Sequence, residues 1–180
     1  MAPQSRSLLI LIGMMGSGKS TIGRHLARQL ELDFIDSDRA LEERSGVPVA
    51  TIFEMEGEEG FRRREAALLD ELTQRQRLVL ATGGGAVLLD ENRERMRARG
   101  LVIYLEATLE ELQRRLRHDK SRPLLQGVDI DRRVADLLAA RAPLYRQCAH
   151  LTFPSGAANP KRLVQRILAS PDVSAAFAKP

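Results

Sequence analysis

Short apolar runs alternate along the chain with segments in which hydrophobic residues recur every three or four positions. The runs at 8–12, 77–82 and 101–105 are apolar almost throughout, which is typical of strands buried inside a parallel sheet. Weaker patterns predict two shorter strands, one ending at Ile35 and one over 150–153. These segments would form the centre of the fold.

Between the apolar runs, the spacing changes to that of amphipathic helices. The predicted helices are 19–30, 38–45, 49–73, 90–99, 108–117, 130–146 and 160–169. Thr108 and Glu111 have the spacing of a capping box. Strands alternating with helices predict an α/β three-layer sandwich, in which helices flank a central parallel sheet of about five strands. We expect the small, polar segment 170–180 to fray.

The composition fits one domain that binds small molecules. A chain of 180 residues, 43% of them hydrophobic, can bury the core of a single domain over residues 1–180. Aromatic residues make up 4% and tryptophan is absent, which argues against a stacking surface for single-stranded nucleic acid. We expect a monomer without a nucleic-acid partner.

The net charge of +4 comes with an excess of arginine over lysine. Arginine binds carboxylates and phosphates through two parallel hydrogen bonds, so this excess favours small anionic ligands. A solvated basic surface is the alternative interpretation. Binding to nucleic acid would require a recognised module, and none is present in the sequence.

Cysteine usage and the apolar runs point to a cytoplasmic protein. Cys148 is the only cysteine, so no disulfide can form within the chain, and a reducing compartment is expected. We expect its thiol to be a small buried apolar group and not a nucleophile. The first seven residues lack the layout of a signal peptide, and no apolar run has the length of a membrane span.

The residues after the first strand match the phosphate-binding pattern G-x-x-x-x-G-K-[ST], and a helical pattern follows them. Glycines allow backbone N–H groups to turn around phosphate oxygens, and the helix N-terminus adds positive potential. The lysine would reach the β- and γ-phosphates, and the next serine would bind Mg²⁺. The predicted ATP-binding residues in this loop are Gly13, Gly16, Ser17, Gly18, Lys19, Ser20 and Thr21.

Two carboxylates, Asp36 and Asp38, stand one residue apart at the end of the second predicted strand. Ligands bind at the carboxyl ends of the strands in such sheets, so these side chains are candidates for the acceptor site. One could hold Mg²⁺ through water while the other accepts hydrogen bonds from substrate hydroxyls. Capping of a helix N-terminus by Ser37 or Asp38 is an equally good interpretation.

Three consecutive glycines, Gly83 to Gly85, follow another predicted strand. They would let a ligand approach the backbone closely, although a flexible turn is the alternative. Arg62, Arg122 and Arg141 each stand beside a distinctive neighbour, in FR, RPLL and RAPLY respectively. For any single arginine in such a chain, a solvated surface position is the default.

Six motifs follow one another in an order that resembles the shikimate kinase family, from Leu8 to about Leu168. They are GMMGSGKST at 13–21, DSD at 36–38, FR at 61–62, GGGAV at 83–87, RPLL at 122–125 and RAPLY at 141–145. Apart from the first, each motif alone is weak evidence for the family, whereas all six in this order are specific to it. The resemblance implies a nucleoside monophosphate kinase-like P-loop fold, with a shikimate-binding subdomain at 33–61 and a mobile lid at 118–127.

The same resemblance implies transfer of the γ-phosphoryl group of ATP to a hydroxyl of shikimate. The products would be shikimate 3-phosphate and ADP, on the chorismate route to aromatic amino acids. On the acceptor side, Asp38 would bind shikimate hydroxyls and orient the attacking one. Arg62 and Arg141 would hold the carboxylate, and Gly83 to Gly85 would line the pocket, with the Gly84 backbone in contact with substrate.

On the nucleotide side, the resemblance implies that Asp36 and Ser20 hold Mg²⁺ and that Arg115 lies near the adenine. Arg122 would close over the phosphates from the lid. The implied catalytic residues are Lys19, Asp38 and Arg122. One departure from the family is at 155–160, which offers neither the arginine nor the glutamine that many members place against the adenine. Backbone and apolar contacts are therefore expected to hold the base.

Several rival functions share parts of this pattern. A kinase for another small metabolite, such as gluconate, or for a nucleoside monophosphate would have the P-loop and the sheet, but would not explain DSD, GGG and RPLL together. A non-catalytic domain that binds ATP or shikimate as a signal predicts a damaged P-loop or a missing carboxylate. Both features are intact in this chain.

Overall fold

A parallel sheet forms the centre of the molecule. In the computed structural model, which describes residues 7–156 and 159–177, the strands are β1 (Leu8–Ile12), β2 (Asp33–Asp36), β3 (Leu78–Ala81), β4 (Leu101–Glu106) and β5 (Leu151–Pro154). They lie in the order β2-β3-β1-β4-β5, and every neighbouring pair is parallel. The predicted fold class is confirmed.

Helices connect the strands and cover the sheet. They are α1 (Lys19–Leu30), α2 (Ser37–Ser45), α3 (Val49–Leu72), α4 (Asp90–Arg99), α5 (Leu109–Leu116), α6 (Ile130–Cys148), α7 (Pro160–Leu168) and α8 (Pro171–Ala176). Thr108 caps α5 by accepting a hydrogen bond from the Glu111 N–H at 3.3 Å, as the spacing predicts. Within the described ranges, no helix is both long and apolar enough to cross a bilayer.

Alternate residues of the central strands face two separate cores. In β1, Leu9 and Leu11 pack with α1 and α7, whereas Leu8, Ile10 and Ile12 pack with α3, α4 and α6 on the opposite face. A strand covered on both sides must be apolar at every position, which explains its uninterrupted hydrophobic run. This arrangement is the three-layer sandwich.

The strand order determines where the predicted site lies. In register, Ala81 of β3 pairs with Leu11 of β1 on one side and with Asp36 of β2 on the other. The loops that leave these strands therefore begin at the same edge of the sheet. They carry the P-loop, the two aspartates and the glycines of residues 83–85.

Two predicted elements differ from the structure. The long helix α3 is kinked at Gly57, whose φ of 70° and ψ of −178° are not helical. The segment expected to fray contains α8, because Pro171 begins a helical turn and Val173 is buried in the second core. The expectation of fraying is wrong over 171–176, and residues 178–180 lie outside the described part of the chain.

Cys148 lies at the end of α6 with its side chain fully buried. Burial raises the pKa of the thiol to about 11. A thiol with so high a pKa is almost entirely protonated near neutral pH and is a poor nucleophile. The prediction of a buried apolar role is confirmed.

Candidate active site

The P-loop joins β1 to α1 and holds its lysine against its own backbone. A Cβ on Gly13, where φ is +148°, would lie 2.7 Å from the Leu105 carbonyl oxygen, so only glycine fits there. The Lys19 ammonium donates to the carbonyl oxygens of Gly13 and Met14, both at 2.8 Å, and lies 3.5 Å from the Ser17 hydroxyl. These weak acceptors can be exchanged for phosphate oxygens.

Lys19 is almost fully buried, and burial is the main influence on the pKa of its ammonium group. Burial lowers the pKa of the ammonium to about 8, although the carboxylates of Asp38 and Asp36 act in the opposite direction. Arg122 and Arg141 lower it further by repulsion. Because burial and the two arginines disfavour the charge on Lys19, an anion bound beside it would be stabilised.

Asp36 at the end of β2 connects the P-loop helix to α2. One carboxylate oxygen accepts a hydrogen bond from the Ser20 hydroxyl, and the other accepts from the N–H groups of Asp38 and Arg39 at 3.1 and 3.2 Å. Asp36 is thus the N-cap of α2. The alternative that Ser37 or Asp38 caps this helix is wrong.

With Asp36 as the cap, the side chains of Ser37 and Asp38 are free to make other contacts, and of the two only Asp38 lines the cleft. The Ser37 hydroxyl accepts a hydrogen bond from the Gly83 N–H at 3.0 Å and ties α2 to the loop after β3. Asp38 points into the cleft between Lys19 and Arg122. Withdrawal from water raises the pKa of the Asp38 carboxyl, and the nearby Asp36 raises it further, against the effect of these cations.

The glycines after β3 are packed too tightly for side chains. A Cβ on Gly83 would lie 2.7 Å from Asp38 Oδ1 and 2.8 Å from Glu65 Oε1, and a Cβ on Gly85 would overlap the Arg62 guanidinium. The absence of side chains at these positions allows three charged groups to converge on one turn of backbone. The flexible-turn interpretation of the three glycines is therefore wrong.

Arg62 is held by a buried partner on the same helix. Its guanidinium donates to Glu65 Oε2 at 2.7 Å and lies 5.1 Å from the Phe61 ring centroid. Burial raises the pKa of Glu65, and Arg62 opposes this rise. Among the described residues, Arg62 Nε and Glu65 Oε1 have no hydrogen-bond partner although both are buried.

Arg141 approaches the same glycines from α6. Only 2% of its surface is exposed, and a Cβ on Gly84 would lie 3.3 Å from its Nη1. The default of a solvated surface arginine therefore does not apply to this residue. Arg62 does not have a solvated surface position either, because its side chain is only 12% exposed.

Residues 118–127, the segment predicted to be a lid, contribute Ser121, Arg122 and Pro123 to the lining of the cleft. A single 3-10 turn, Pro123–Leu125, anchors it through the buried Leu125 side chain. Arg122 is partly exposed and its Nε lies 3.2 Å from Asp119 Oδ2, while the side chain lines the cleft above Lys19. This arrangement leaves the Arg122 guanidinium free to turn toward phosphates.

Arg115 links the P-loop to the loop that follows β5. It donates to the Gly16 carbonyl at 2.8 Å and to the Gly156 carbonyl at 3.2 Å, and its Nη2 lies 2.9 Å from the Glu111 carboxylate. The segment 155–160 was predicted to hold the base through backbone and apolar contacts. Two of its residues, 157 and 158, lie outside the described ranges. Asn159 caps α7 by accepting a hydrogen bond from the Lys161 N–H at 2.9 Å.

These side chains line two adjoining cavities. The larger has a volume of about 720 Å³ and is lined by Gly16, Gly18, Lys19, Ser20, Thr21, Asp36, Asp38, Gly84, Arg115 and Arg122, among others. The smaller has about 60 Å³ and is lined by Asp38, Arg62, Gly83, Gly84, Gly85, Arg122 and Arg141 together with apolar side chains. Gly13 and Ser17 of the P-loop line neither cavity. A large cleft beside the P-loop therefore opens onto a small pocket that has both charged and apolar walls.

Sequence reasoning missed two buried residues of this site. Glu65 stands three positions after Arg62, a spacing that indicates an ion pair on one helix face, but the surrounding run of acids and arginines conceals it. Tyr145 donates a hydrogen bond to the Gly84 carbonyl at 2.6 Å. Its partner is 61 positions away, so no local pattern signals this bond.

Comparisons with known proteins agree with this geometry. The family model described as shikimate kinase matches residues 15–171. A shikimate kinase from Haemophilus influenzae is 53% identical over 89% of both chains. One from Nitrosospira multiformis is 52% identical over 88% of this chain and 82% of its own.

Among solved structures, the shikimate kinase from Acinetobacter baumannii in complex with shikimate has a TM-score of 0.88. Its identity is 47%, and the alignment covers 90% of each chain. The resemblance drawn from the six motifs is therefore confirmed, and the chain belongs to the shikimate kinase family.

Proposed function

We propose that this chain transfers the γ-phosphoryl group of ATP to the 3-hydroxyl of shikimate, giving shikimate 3-phosphate and ADP. The observation that carries the proposal is the small pocket beside the P-loop cleft. Two buried arginines, Arg62 and Arg141, line it together with the acidic Asp38. A ring with one carboxylate and several hydroxyls is complementary to such a pocket, and the similar Acinetobacter protein was solved with shikimate.

The acceptor is oriented by opposite charges at the two ends of this pocket. Arg62 and Arg141 bind the carboxylate through charge-assisted hydrogen bonds, while Asp38 accepts from the hydroxyl that attacks. Because the pKa of Asp38 is raised, its carboxylate is a better proton acceptor than an ordinary aspartate. It receives the hydroxyl proton as the new bond to phosphorus forms.

The residues fit Mg²⁺ at the junction of β2 and α1. The Ser20 hydroxyl and the Asp36 carboxylate are adjacent hard oxygen ligands, and Mg²⁺ takes few protein ligands besides phosphate and water. This agrees with the described residues, which contain no cluster of three potential metal ligands of the His, Cys, Asp or Glu type. When bound, Mg²⁺ supplies charge neutralisation at the β- and γ-phosphates.

Lys19 and Arg122 stabilise the charge that develops during transfer. When ATP binds, the Lys19 ammonium leaves the carbonyl oxygens of Gly13 and Met14 and binds phosphate oxygens instead. Arg122 reaches the same phosphate oxygens from the lid. A closed lid also excludes water, which would otherwise compete with the hydroxyl for the phosphoryl group. Arg115 contributes to the nucleotide site from the side of the base.

We further propose that the enzyme acts as a cytoplasmic monomer. One chain provides all the side chains that the proposed mechanism uses, and the free thiol of Cys148 suits a reducing compartment. Sedimentation velocity at assay concentrations should give the mass of one chain, 20.1 kDa. A dimer mass would contradict this part of the proposal.

A calorimetric titration with candidate acceptors tests the substrate assignment. We expect shikimate to bind, and gluconate and nucleoside monophosphates to give no saturable heat at the same concentrations. The Arg141→Lys variant should bind shikimate at least tenfold more weakly, since lysine cannot form the paired hydrogen bonds, which corresponds to about 1.4 kcal/mol. Saturable binding of gluconate, with none of shikimate, would contradict the assignment.

A further inference from the structure

Tyr145 lies next to two groups of the acceptor pocket and is hydrogen-bonded to one of them. Its side chain is completely buried in α6, and its hydroxyl donates to the Gly84 carbonyl oxygen at 2.6 Å. Arg141, one helical turn earlier, lies close enough for its charge to lower the pKa of this hydroxyl against the effect of burial. One phenol therefore holds a backbone peptide of the glycine turn and lies beside a buried arginine of the pocket.

Ring packing fixes the position of the Tyr145 hydroxyl without help from a ligand. The ring stacks on Tyr104 of β4 with 5.0 Å between centroids and 27° between planes. Burial raises the pKa of Tyr145 well above its usual value, so the hydroxyl remains a donor across the pH range of an assay. The bond to Gly84 is a permanent part of the folded site.

The glycine turn needs an external anchor of this kind. Its own hydrogen bonds use the flanking carbonyls, because the Ala86 N–H donates to Gly83 at 3.1 Å and the Leu88 N–H donates to Gly85 at 3.0 Å. The Gly84 carbonyl instead points to Tyr145. Without side chains, the peptide between Gly84 and Gly85 is free to rotate unless its carbonyl is held.

We propose that Tyr145 is a positioning residue for acceptor binding, which sets the orientation of the Gly84 peptide and of the Arg141 guanidinium. The inference rests on the proposed role of this pocket in binding shikimate. Tyr145 does not line the described cavities and would act through the Gly84–Gly85 peptide that it holds and the Arg141 guanidinium beside it. Gly85 and Arg141 line the smaller pocket and not the larger cleft, so its contribution should affect the acceptor more than the nucleotide.

Steady-state kinetics of Tyr145→Phe test this inference. The variant keeps the stacked ring and loses one buried hydrogen bond, at a cost of about 1–3 kcal/mol, which is small beside a typical total stability of about 5–15 kcal/mol. We expect KM for shikimate to rise about tenfold, equivalent to about 1.4 kcal/mol. KM for ATP should stay within about twofold of wild type, because the P-loop contacts are unchanged.

Tyr104→Phe is the matched control. It makes the same chemical change on the other ring of the stack, where the charges of Glu106 and Arg146 act on the hydroxyl. Its KM for shikimate should equal that of wild type. A Tyr145→Phe enzyme with wild-type KM for shikimate, whatever its melting temperature, would show a purely structural role and overturn the inference.

A double-variant cycle separates this inference from the proposed function. If Tyr145 acts through Arg141, the rise in KM from Tyr145→Phe should be smaller in an Arg141→Lys background than in wild type. Fully additive effects, with a normal Arg141→Lys response, would overturn the coupling to Arg141. Absence of any shikimate-dependent turnover in the wild type would instead contradict the proposed function itself.

Discussion

The charge on Lys19 depends on what occupies the P-loop. In the free protein, burial lowers its pKa to about 8, so part of the population is neutral at slightly alkaline pH. Phosphates favour the charged form, and ATP binding must then be accompanied by proton uptake. The affinity for ATP should therefore be constant below pH 8 and should fall as the pH rises through that value.

Calorimetry in two buffers of different ionisation enthalpy at pH 8 measures this proton uptake directly. Lys19→Arg is the control, since a guanidinium does not titrate in this range. The arginine variant should bind ATP without the extra proton uptake found in the wild type. Equal proton uptake in both proteins would assign the titration to another group.

A second prediction at the residue scale concerns Gly85. A Cβ there would overlap the guanidinium of Arg62, which must move away from Glu65 and the pocket. We expect Gly85→Ala to raise KM for shikimate at least tenfold, about 1.4 kcal/mol or more, while KM for ATP stays near the wild-type value.

Gly156→Ala is the comparison for Gly85→Ala, because a Cβ at Gly156 meets nothing within 4 Å. It should leave KM for shikimate unchanged. If KM for shikimate were the same in Gly85→Ala and in wild type, the Arg62 guanidinium would have moved without weakening shikimate binding. Its present position would then not be needed for binding.

Residue identities near the phosphates are predictable because they follow local spacing. The pattern from Gly13 to Thr21 combines a strand, a loop and a helix start within a few positions, and its chemistry depends on that local geometry. Glu65 and Tyr145 could not be found in this way. Their partners come from the tertiary packing, and a buried acid in a run of charged residues has the same sequence pattern as an exposed one.

At the scale of elements, the lid carries the clearest prediction. Arg122 is only partly buried and is held by a single ion pair with Asp119, so it can move to the phosphates when the lid closes. Contacts that strengthen in the transition state affect kcat more than KM. Arg122→Ala should lower kcat by about a hundredfold or more, the range found when one group that stabilises developing charge is removed.

Lys120→Ala provides a lid control for Arg122→Ala. Lys120 is exposed on the same segment and does not line the larger cleft. Its removal should change kcat by less than about twofold, as expected for an exposed surface position. If Arg122→Ala had the kcat of wild type, Arg122 would not stabilise the charge that develops on the γ-phosphoryl group, and its proposed role would be wrong.

Element boundaries were predictable where the pattern of apolar residues changes sharply. The strands and α1 match their predicted ranges closely, and all of them except β5 begin or end at or next to a glycine or a charged residue. The kink in α3 was missed because Gly57 is one glycine within a long run of helix-forming residues. Helix α8 was missed because its stability comes from Val173 in the core and not from composition.

At the scale of the whole molecule, the strand order is what assembles the site. Residues from β1, β2 and β3 meet only because β3 lies between the other two in the sheet. Sequence alternation predicts a parallel sheet but does not determine the order of its strands, so residue patterns alone could not join Asp38, Arg62 and Arg141 in the pocket that they line in the structure. The family resemblance supplied that grouping where residue patterns could not.

The central claim is that phosphoryl transfer depends on shikimate. A coupled assay of ADP release, with purified protein, Mg²⁺ and ATP, measures it directly when run with and without shikimate. The account predicts rapid ADP release only when shikimate is present, and a slow background without it because no hydroxyl is then positioned to attack the γ-phosphate. ADP release at the same rate with and without shikimate would contradict it.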